Sequence, residues 1–456
     1  MSGLPWVLDV VPPRSLGFSL VGRLTAARTS RYWYVHRVFG VTRIPALPHD
    51  GLVHGTFPNP NRFVVAMALD HFYKVEVIRK DGTAVPIEEI EAGLWAVAED
   101  AKKRGPGEGV GACSGDGRDE WTKAREHLLA LSPKNQETLS AIEDCLFVVS
   151  LDAHTLKSTS YLSSSVTTDS PDLEAHILNA SAGSGHGRNR WWDKAVSISV
   201  ESNGRGGMLG EHSPVDALIP SIVCDYVLAE STAPGPAARP SAATAPVERL
   251  EWVLDGTAHD NIAAAEKTVA ALTADSEGRM LWFDEYGVDW IKAQAKQSPD
   301  AYIQMALQLA FHKDQGYPTA TYETASTRLF LHGRTDVIRT LSEDSWVWVQ
   351  AMRDGKATPQ QLYALLTKAT KAHNTYTRDA STGKGCDRHF MGLRLLMREG
   401  ERHALFEDDL FAKSQEWVLS TSSLSAGDRF YGTGFGTVWP EGYGINCKLA
   451  RRLVRG

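Results

Sequence analysis

The sequence predicts an α/β protein of two domains with mixed sheets and flanking helices. Three observations point there. Strand-like alternating runs interleave with helical patterns instead of segregating. The chain has 456 residues, more than one hydrophobic core organises, since single cores stop growing near ~250–300 residues. Residues 229–247, AESTAPGPAARPSAATAPV, hold almost no large apolar side chain and read as an exposed linker. We therefore divide the chain into residues 1–228, a linker at 229–248, and residues 249–456.

The elements follow in order. Residues 62–80, RFVVAMALDHFYKVEVIRK, alternate and are rich in β-branched and aromatic residues, with a turn at Asp81-Gly82. Helical patterns cover 86–103 and 119–131, with Asp119 as N-cap, before a strand at Cys145–Leu151. A Gly-rich loop, 180–190, leads through Trp191 and Trp192 into the strand Ala195–Val200. Beyond the linker, helices are expected at 259–274, 299–314 and 359–373. Pro299 opens the second of these and Gly316 stops it. Residues 414–447 read as short strands broken by Gly and Ser.

Bulk properties exclude several classes. A formal net charge of -7 argues against a nucleic-acid protein held by phosphate contacts, so any anionic ligand needs a local cationic cluster. Five scattered cysteines, none in CxxC spacing, give no zinc framework and point to a reducing compartment. No apolar run reaches membrane-spanning length. From Val10 to His49 there is no acidic residue while arginines recur; this reads either as a presequence-like segment or as a basic first strand and loop.

The chemistry centres on GEHSPVDA, residues 210–217. A strand at 196–201, a Gly-rich turn at 203–207 and a second short strand end at Glu211-His212. A helix is expected next, with Ser213 as N-cap and Pro214 at its first position. His212 then sits at a strand-to-helix junction, and Asp216, four residues on, can orient its imidazole so that the other nitrogen serves as base. An isolated H-x-x-x-D is short and common, and alone it reads as a histidine packing near a helix start.

Further segments change that weighting. SPDAYIQMALQLAF (298–311), TYETASTRLFLHGRTDVIR (321–339), GCDRHFMGLRLL (385–396), LSTSSLS (419–425) and FGTVWPEGYGINC (435–447) lie in order behind GEHSPVDA. YWYVHRVFGVTRIP (32–45), FYKVEVIRKDGT (72–83) and GRNRWWDKAVSISV (187–200) precede it. Together these resemble the carnitine/choline acyltransferases, most closely the carnitine acetyltransferases.

The resemblance implies two domains, each like chloramphenicol acetyltransferase, with a tunnel at their interface and direct acyl transfer between coenzyme A and carnitine. His212 would be the general base, Asp216 its orienting partner, and Ser422 of the Ser420-Thr421-Ser422 motif the oxyanion donor. Tyr322, Thr324, Thr335, Arg388 and Phe435 would bind carnitine, the carboxylate calling for the planar guanidinium of Arg388. Choline has no carboxylate, so Arg388 and Thr335 favour carnitine. On its own motif Arg388 would instead read as a surface ion pair with Asp387. Lys292, Lys296, Asp300 and Glu323 would contact CoA. Acyl-CoA enters as a co-substrate, and no permanently bound cofactor or metal is implied.

Departures are few. Val288 and Asp289 replace a lysine common after Gly287, Ser423 stands where Gln is usual, and Thr324 replaces Ser. Thr433 is small where short-chain members carry a bulky plug, which extends the expected acyl range from short to medium chains. Complete members begin before the part matching residue 31 and run past the GYG segment. The implied enzyme is a monomer of the mitochondrion or peroxisome, or of the cytoplasm where targeting segments are missing. The alternatives are a shortened, weakly active or inactive CoA-binding remnant, and transfer to another small alcohol such as choline.

Overall fold

In the computed structural model the described residues are 37–54, 60–155, 171–183, 185–230, 245–283, 285–424, 429–430, 432–449 and 454–455. Residues 10–36 of the arginine-containing segment and 231–244 of the Ala/Pro segment lie outside them. The fold is mixed α/β with helices flanking mixed sheets, the class expected. Contacts divide the chain into two compact units, the first running to Arg279 and the second beginning, in the main, at Met280.

The first unit is built on a six-stranded sheet of order β7-β6-β5-β3-β4-β8. Its strands are β3 (Phe63–Ala68), β4 (His71–Glu76), β5 (Val148–Leu151), β6 (Val196–Val200), β7 (Gly206–Gly210) and β8 (Val247–Leu250); β1 (Thr42–Ile44) and β2 (Gly51–Val53) form a separate small ribbon. β3, β5 and β6 run parallel and the other pairs antiparallel. The apolar residues of β3 alternate between two cores. Val64, Ala66 and Ala68 pack with Ile90, Leu94 and Val97 of α1 (Ile87–Arg104). Val65 and Met67 pack with Trp121 and Leu128 of α2 (Arg118–Leu131), Leu139 of α3 (Pro133–Asp144) and Ile262 of α6 (Gly256–Ala274). The sheet is therefore buried on both faces, which is why β3 reads as a nearly unbroken apolar run.

Four local expectations need correction. The 62–80 run is a hairpin whose turn is Leu69-Asp70, both at positive φ, so a tight turn sits where no glycine announces it. α2 is preceded by Gly117, without a side-chain cap, and Asp119 lies inside its first turn. The helix after His212, α5 (Leu218–Glu230), which follows α4 (Pro171–Ala182) in the chain, begins five residues later than Ser213. Finally, α6 belongs to the first unit, not the second. Asn135 of α3 bonds the backbone of Val253 at 2.9 and 2.8 Å, Thr138 donates to the Glu251 carbonyl at 2.7 Å, and these bonds tie the chain after the Ala/Pro segment back to α3.

The second unit carries a six-stranded sheet of order β11-β10-β12-β13-β14-β9. Its strands are β9 (Trp282–Phe283), β10 (Thr321–Ser326), β11 (Thr335–Arg339), β12 (Leu419–Ser423), β13 (Tyr443–Leu449) and β14 (Val454–Arg455). β10, β12 and β13 are mutually parallel, and β11 closes the β10 edge antiparallel. The helices are α7 (Val288–Ala293), α8 (Pro299–Gln315), α9 (Glu343–Asp354), α10 (Pro359–Ser381) and α11 (Asp387–Leu395), followed by two short ones, Ala404–Glu407 and Asp409–Lys413. α8 starts at Pro299 and ends at Gly316 with φ +83°, as its sequence punctuation requires. α10 extends eight residues beyond the expected 373, to Ser381, on a continuing amphipathic pattern. Among the described residues no helix is long and apolar enough to cross a membrane.

Candidate active site

Strand register sorts the predicted residues of the second unit into two groups. Directly paired residues share a sheet face. Thr335 pairs with Ser326 and Tyr322 with Arg339, Tyr322 also pairs with Ser420, and Ser420 pairs with Gly444. Tyr322, Thr324, Thr335, Ser420 and Ser422 therefore lie on one face. Glu323 and Thr421 lie on the other, against α8 and α10.

Arg388 and Phe435 are brought to the first of these faces. Arg388 sits at the start of α11, whose approach to the β11 edge depends on Gly385: any side chain there would strike the Asp336 carboxylate. The Arg388 backbone N–H donates to Asp336 Oδ1 at 3.4 Å. Its guanidinium donates to Tyr322 Oη at 3.0 Å and to the Thr335 carbonyl at 3.4 Å. Asp387 is taken instead by Arg339, in a bidentate pair at 3.1 and 2.6 Å. Hence the surface ion pair between Arg388 and Asp387 does not form, and both acceptors of the guanidinium are neutral. Arg339 and Tyr322 pack against Trp417, at 4.8 and 5.6 Å. Phe435 is more than a third exposed. Its backbone crosses Gly444, where a Cβ would collide with the Phe435 carbonyl.

The opposite face holds a buried polar cluster. Glu323 accepts from His373 Nε2 at 2.5 Å and from Thr340 Oγ1 at 3.2 Å, and Asp300 of α8 hydrogen-bonds Glu323. Desolvation, with the charge and hydrogen bond of Glu323 added, pushes the Asp300 carboxyl up to about 7. Burial pulls the His373 imidazole down, but its hydrogen bond to Glu323 and the two carboxyls raise it on balance. Two carboxylate oxygens and an imidazole nitrogen lie within 4.8 Å of one another, a donor set that suits a divalent cation. The 2.5 Å contact leaves no room for a metal between Glu323 and His373, since two ligands of one ion stand about 3 Å apart or more. It is a charge-assisted hydrogen bond. Sequence reading missed His373, which lies fifty residues from Glu323 and in no motif. Thr421 donates to the Tyr322 carbonyl at 2.9 Å and accepts from Gln304 at 3.0 Å, so its hydroxyl is committed to holding β12 to β10 and α8.

Lys292 and Lys296 are exposed, Lys292 in the short helix α7 and Lys296 at φ +53° just after it. The structure gives neither a hydrogen bond to Asp300 or Glu323.

His212 and Asp216 belong to the first unit. His212 stands on a turn, with its side chain 72% exposed, and its Nδ1 is 3.9 Å from Asp216 Oδ1. Asp216 lies two residues before α5, in the chain joining the turn to the helix. Val215 anchors that chain in the α1-side core, and Ile219 of α5 enters the same core. At 3.9 Å the pair is close but beyond hydrogen-bond length.

The family model of the choline/carnitine O-acyltransferases matches residues 22–451. The chain belongs to that family. It is 32% identical over 418 residues to carnitine O-acetyltransferase of Rattus norvegicus, covering 90% of this chain and 64% of that protein. It is also 32% identical over 440 residues to the muscle isoform of carnitine O-palmitoyltransferase 1 of Homo sapiens, covering 92% of this chain and 54% of that protein. Choline O-acetyltransferase of Danio rerio is 31% identical over 427 residues, covering 90% of this chain and 64% of that protein. The chain thus spans just over half to just under two thirds of the length of these acyltransferases. Acyl-CoA is the family's co-substrate.

Proposed function

We propose that this acyltransferase moves a short- to medium-chain acyl group reversibly between coenzyme A and the hydroxyl of carnitine. The observation that carries the reading is Arg388. A guanidinium with two neutral acceptors, on the face that holds Tyr322, Thr324, Thr335, Ser420 and Ser422, keeps its charge for a carboxylate, and carnitine has one where choline has none.

In this reading the carnitine hydroxyl gives its proton to the His212 imidazole as its oxygen attacks the thioester carbonyl. Ser422, with Ser420 beside it, donates to the oxyanion that forms. The C–S bond then breaks, and the departing CoA thiolate recovers the proton from His212. Lys292 and Lys296 supply positive charge for the CoA phosphates, and Asp300 and Glu323 shape the wall of the CoA site. Phe435 lends an aromatic face to the quaternary ammonium. The similarity to a choline O-acetyltransferase supports choline as the second reading. Release of CoA from acetyl-CoA, followed with carnitine, choline or neither, separates the two. Carnitine is expected to support turnover and choline to leave the background rate; equal rates would overturn the choice of acceptor.

A further inference from the structure

We propose that Glu211, held by Arg43, is a positioning residue for His212; the inference rests on the reading of His212 as the base. Glu211 and Ser213 flank the histidine, and the Glu211 side chain folds back over the turn. Its Oε2 accepts the Ser213 backbone N–H at 2.8 Å and its Oε1 accepts the Ser213 hydroxyl at 2.8 Å. This closes a ring of the chain around residue 212, in the manner of an Asx turn built from a longer acid. It fixes the backbone angles of His212, and with them the direction in which the imidazole leaves the chain. The helix that follows, α5, begins only at Leu218, and Asp216 Oδ1 is 3.9 Å from the ring.

The turn is tied into the unit at both backbone and side-chain level. Glu211 N–H donates to the Ala195 carbonyl at 3.1 Å, Arg43 N–H to the Asp193 carbonyl at 2.8 Å, and Ala195 N–H to the Val41 carbonyl at 3.1 Å. One short segment, 193–195, thus brings residues 168 apart in sequence side by side. Arg43 Nη1 then reaches Glu211 Oε1 at 3.3 Å while its Nε holds Asp50 at 2.5 Å. Asp50 also accepts from Arg118 at 2.8 Å, and Arg118 holds Asp193 at 2.7 Å. The Asp193 carboxylate accepts the Trp121 indole N–H at 2.7 Å, inside the core. Opposite charges alternate along the whole series, Glu211–Arg43–Asp50–Arg118–Asp193, so each holds its neighbours in one geometry. The series runs from a core tryptophan to the turn of the base. The Glu211 side chain is only 11% exposed, which keeps solvent from weakening its grip.

A base displaced by about 1 Å costs on the order of 10²-fold in rate, whereas substrate affinity does not depend on where it points. Steady-state kinetics of Glu211→Ala, Glu211→Gln and Arg43→Ala, with thermal melts of each, tests the proposal. Glu211→Ala is expected to lower kcat about 10- to 100-fold, with both KM values within about twofold of wild type. Glu211→Gln, which keeps an acceptor for Ser213 N–H, is expected to recover most of that loss. Arg43→Ala, which loosens Glu211 without removing it and serves should Glu211→Ala not fold, is expected to lower kcat several-fold. A Glu211→Ala enzyme with wild-type kcat, or a Glu211→Gln enzyme no better than Glu211→Ala, would overturn the proposal. His212→Ala, run alongside, distinguishes the two levels. If His212→Ala keeps its turnover, the reading of the base fails. If His212→Ala is inactive while Glu211→Ala and Arg43→Ala are unimpaired, only the positioning role fails.

Discussion

The Arg388 guanidinium donates to the Tyr322 hydroxyl at 3.0 Å, and this bond aims a positive charge over the face of β10 and β12. A charge-assisted hydrogen bond to a ligand carboxylate is worth about 1.5–3 kcal/mol. Arg388→Ala should therefore raise the KM for carnitine by roughly 10- to 100-fold while leaving the KM for acyl-CoA near wild type. Tyr322→Phe removes only a neutral acceptor and should cost a few-fold. Initial-rate kinetics with each substrate varied in turn checks both; an unchanged carnitine KM in Arg388→Ala contradicts the carboxylate argument.

The Asp300–Glu323–His373 cluster predicts a pH dependence of stability. Asp300 rises from an ordinary 3.8 to about 7 in the folded protein, so the folded state holds a proton that the unfolded state has lost over that window. Its contribution is fully present below about 4 and is lost as pH rises through about 7; the raised His373 acts with the same sign. A proton held only by the folded state gives a slope of at most about 1.4 kcal/mol per pH unit. Asp300→Asn should flatten the fall in urea-unfolding stability between pH 5 and pH 7. Parallel wild-type and variant curves would contradict the assignment.

Gly444 predicts a steric effect. The obstacle to a Cβ there is the backbone of Phe435 and Gly436, which cannot swing aside as a flexible side chain would. Gly444→Ala should cost about 1–3 kcal/mol, as forced core contacts do, and move Phe435 away from the Ser420 face. A lowered melting temperature together with a raised acceptor KM is the expected pair of results.

In the first unit, Arg190 and Asp152 are paired at 2.8 Å with both side chains 1% exposed. Breaking a buried pair strands the partner charge, a loss of about 3–5 kcal/mol. Arg190→Ala should lower the denaturation midpoint far more than Arg104→Ala, whose ion pair with Asp100 is largely exposed and worth little.

Some of this was legible in the sequence because its signals are local. Pro299 and Gly316 bracket α8, and the motifs around Tyr322, Arg388 and Ser422 name residues that strand register then places together. Other features depend on partners far along the chain. Ser213-Pro214 has the wording of a helix start, but Glu211 takes the Ser213 N–H and hydroxyl, and Val215 enters the core in a non-helical stretch, so α5 waits until Leu218. The Leu69-Asp70 turn is imposed by the β3–β4 pairing and not by its residue types. The His373–Glu323 bond joins a helix to a strand that share no motif. α6 sits with the first unit because backbone bonds to Asn135 and Thr138 outweigh a break in composition.

The proposed acylation of carnitine depends most on His212 as its base. The most direct measurement is carnitine-dependent release of CoA from acetyl-CoA by the wild-type chain and by folded His212→Ala, assayed side by side. General-base catalysis contributes about 10²- to 10⁴-fold, so carnitine-dependent turnover is expected in the wild type and a loss of that order in the variant. Turnover at the wild-type rate in His212→Ala would contradict the proposal.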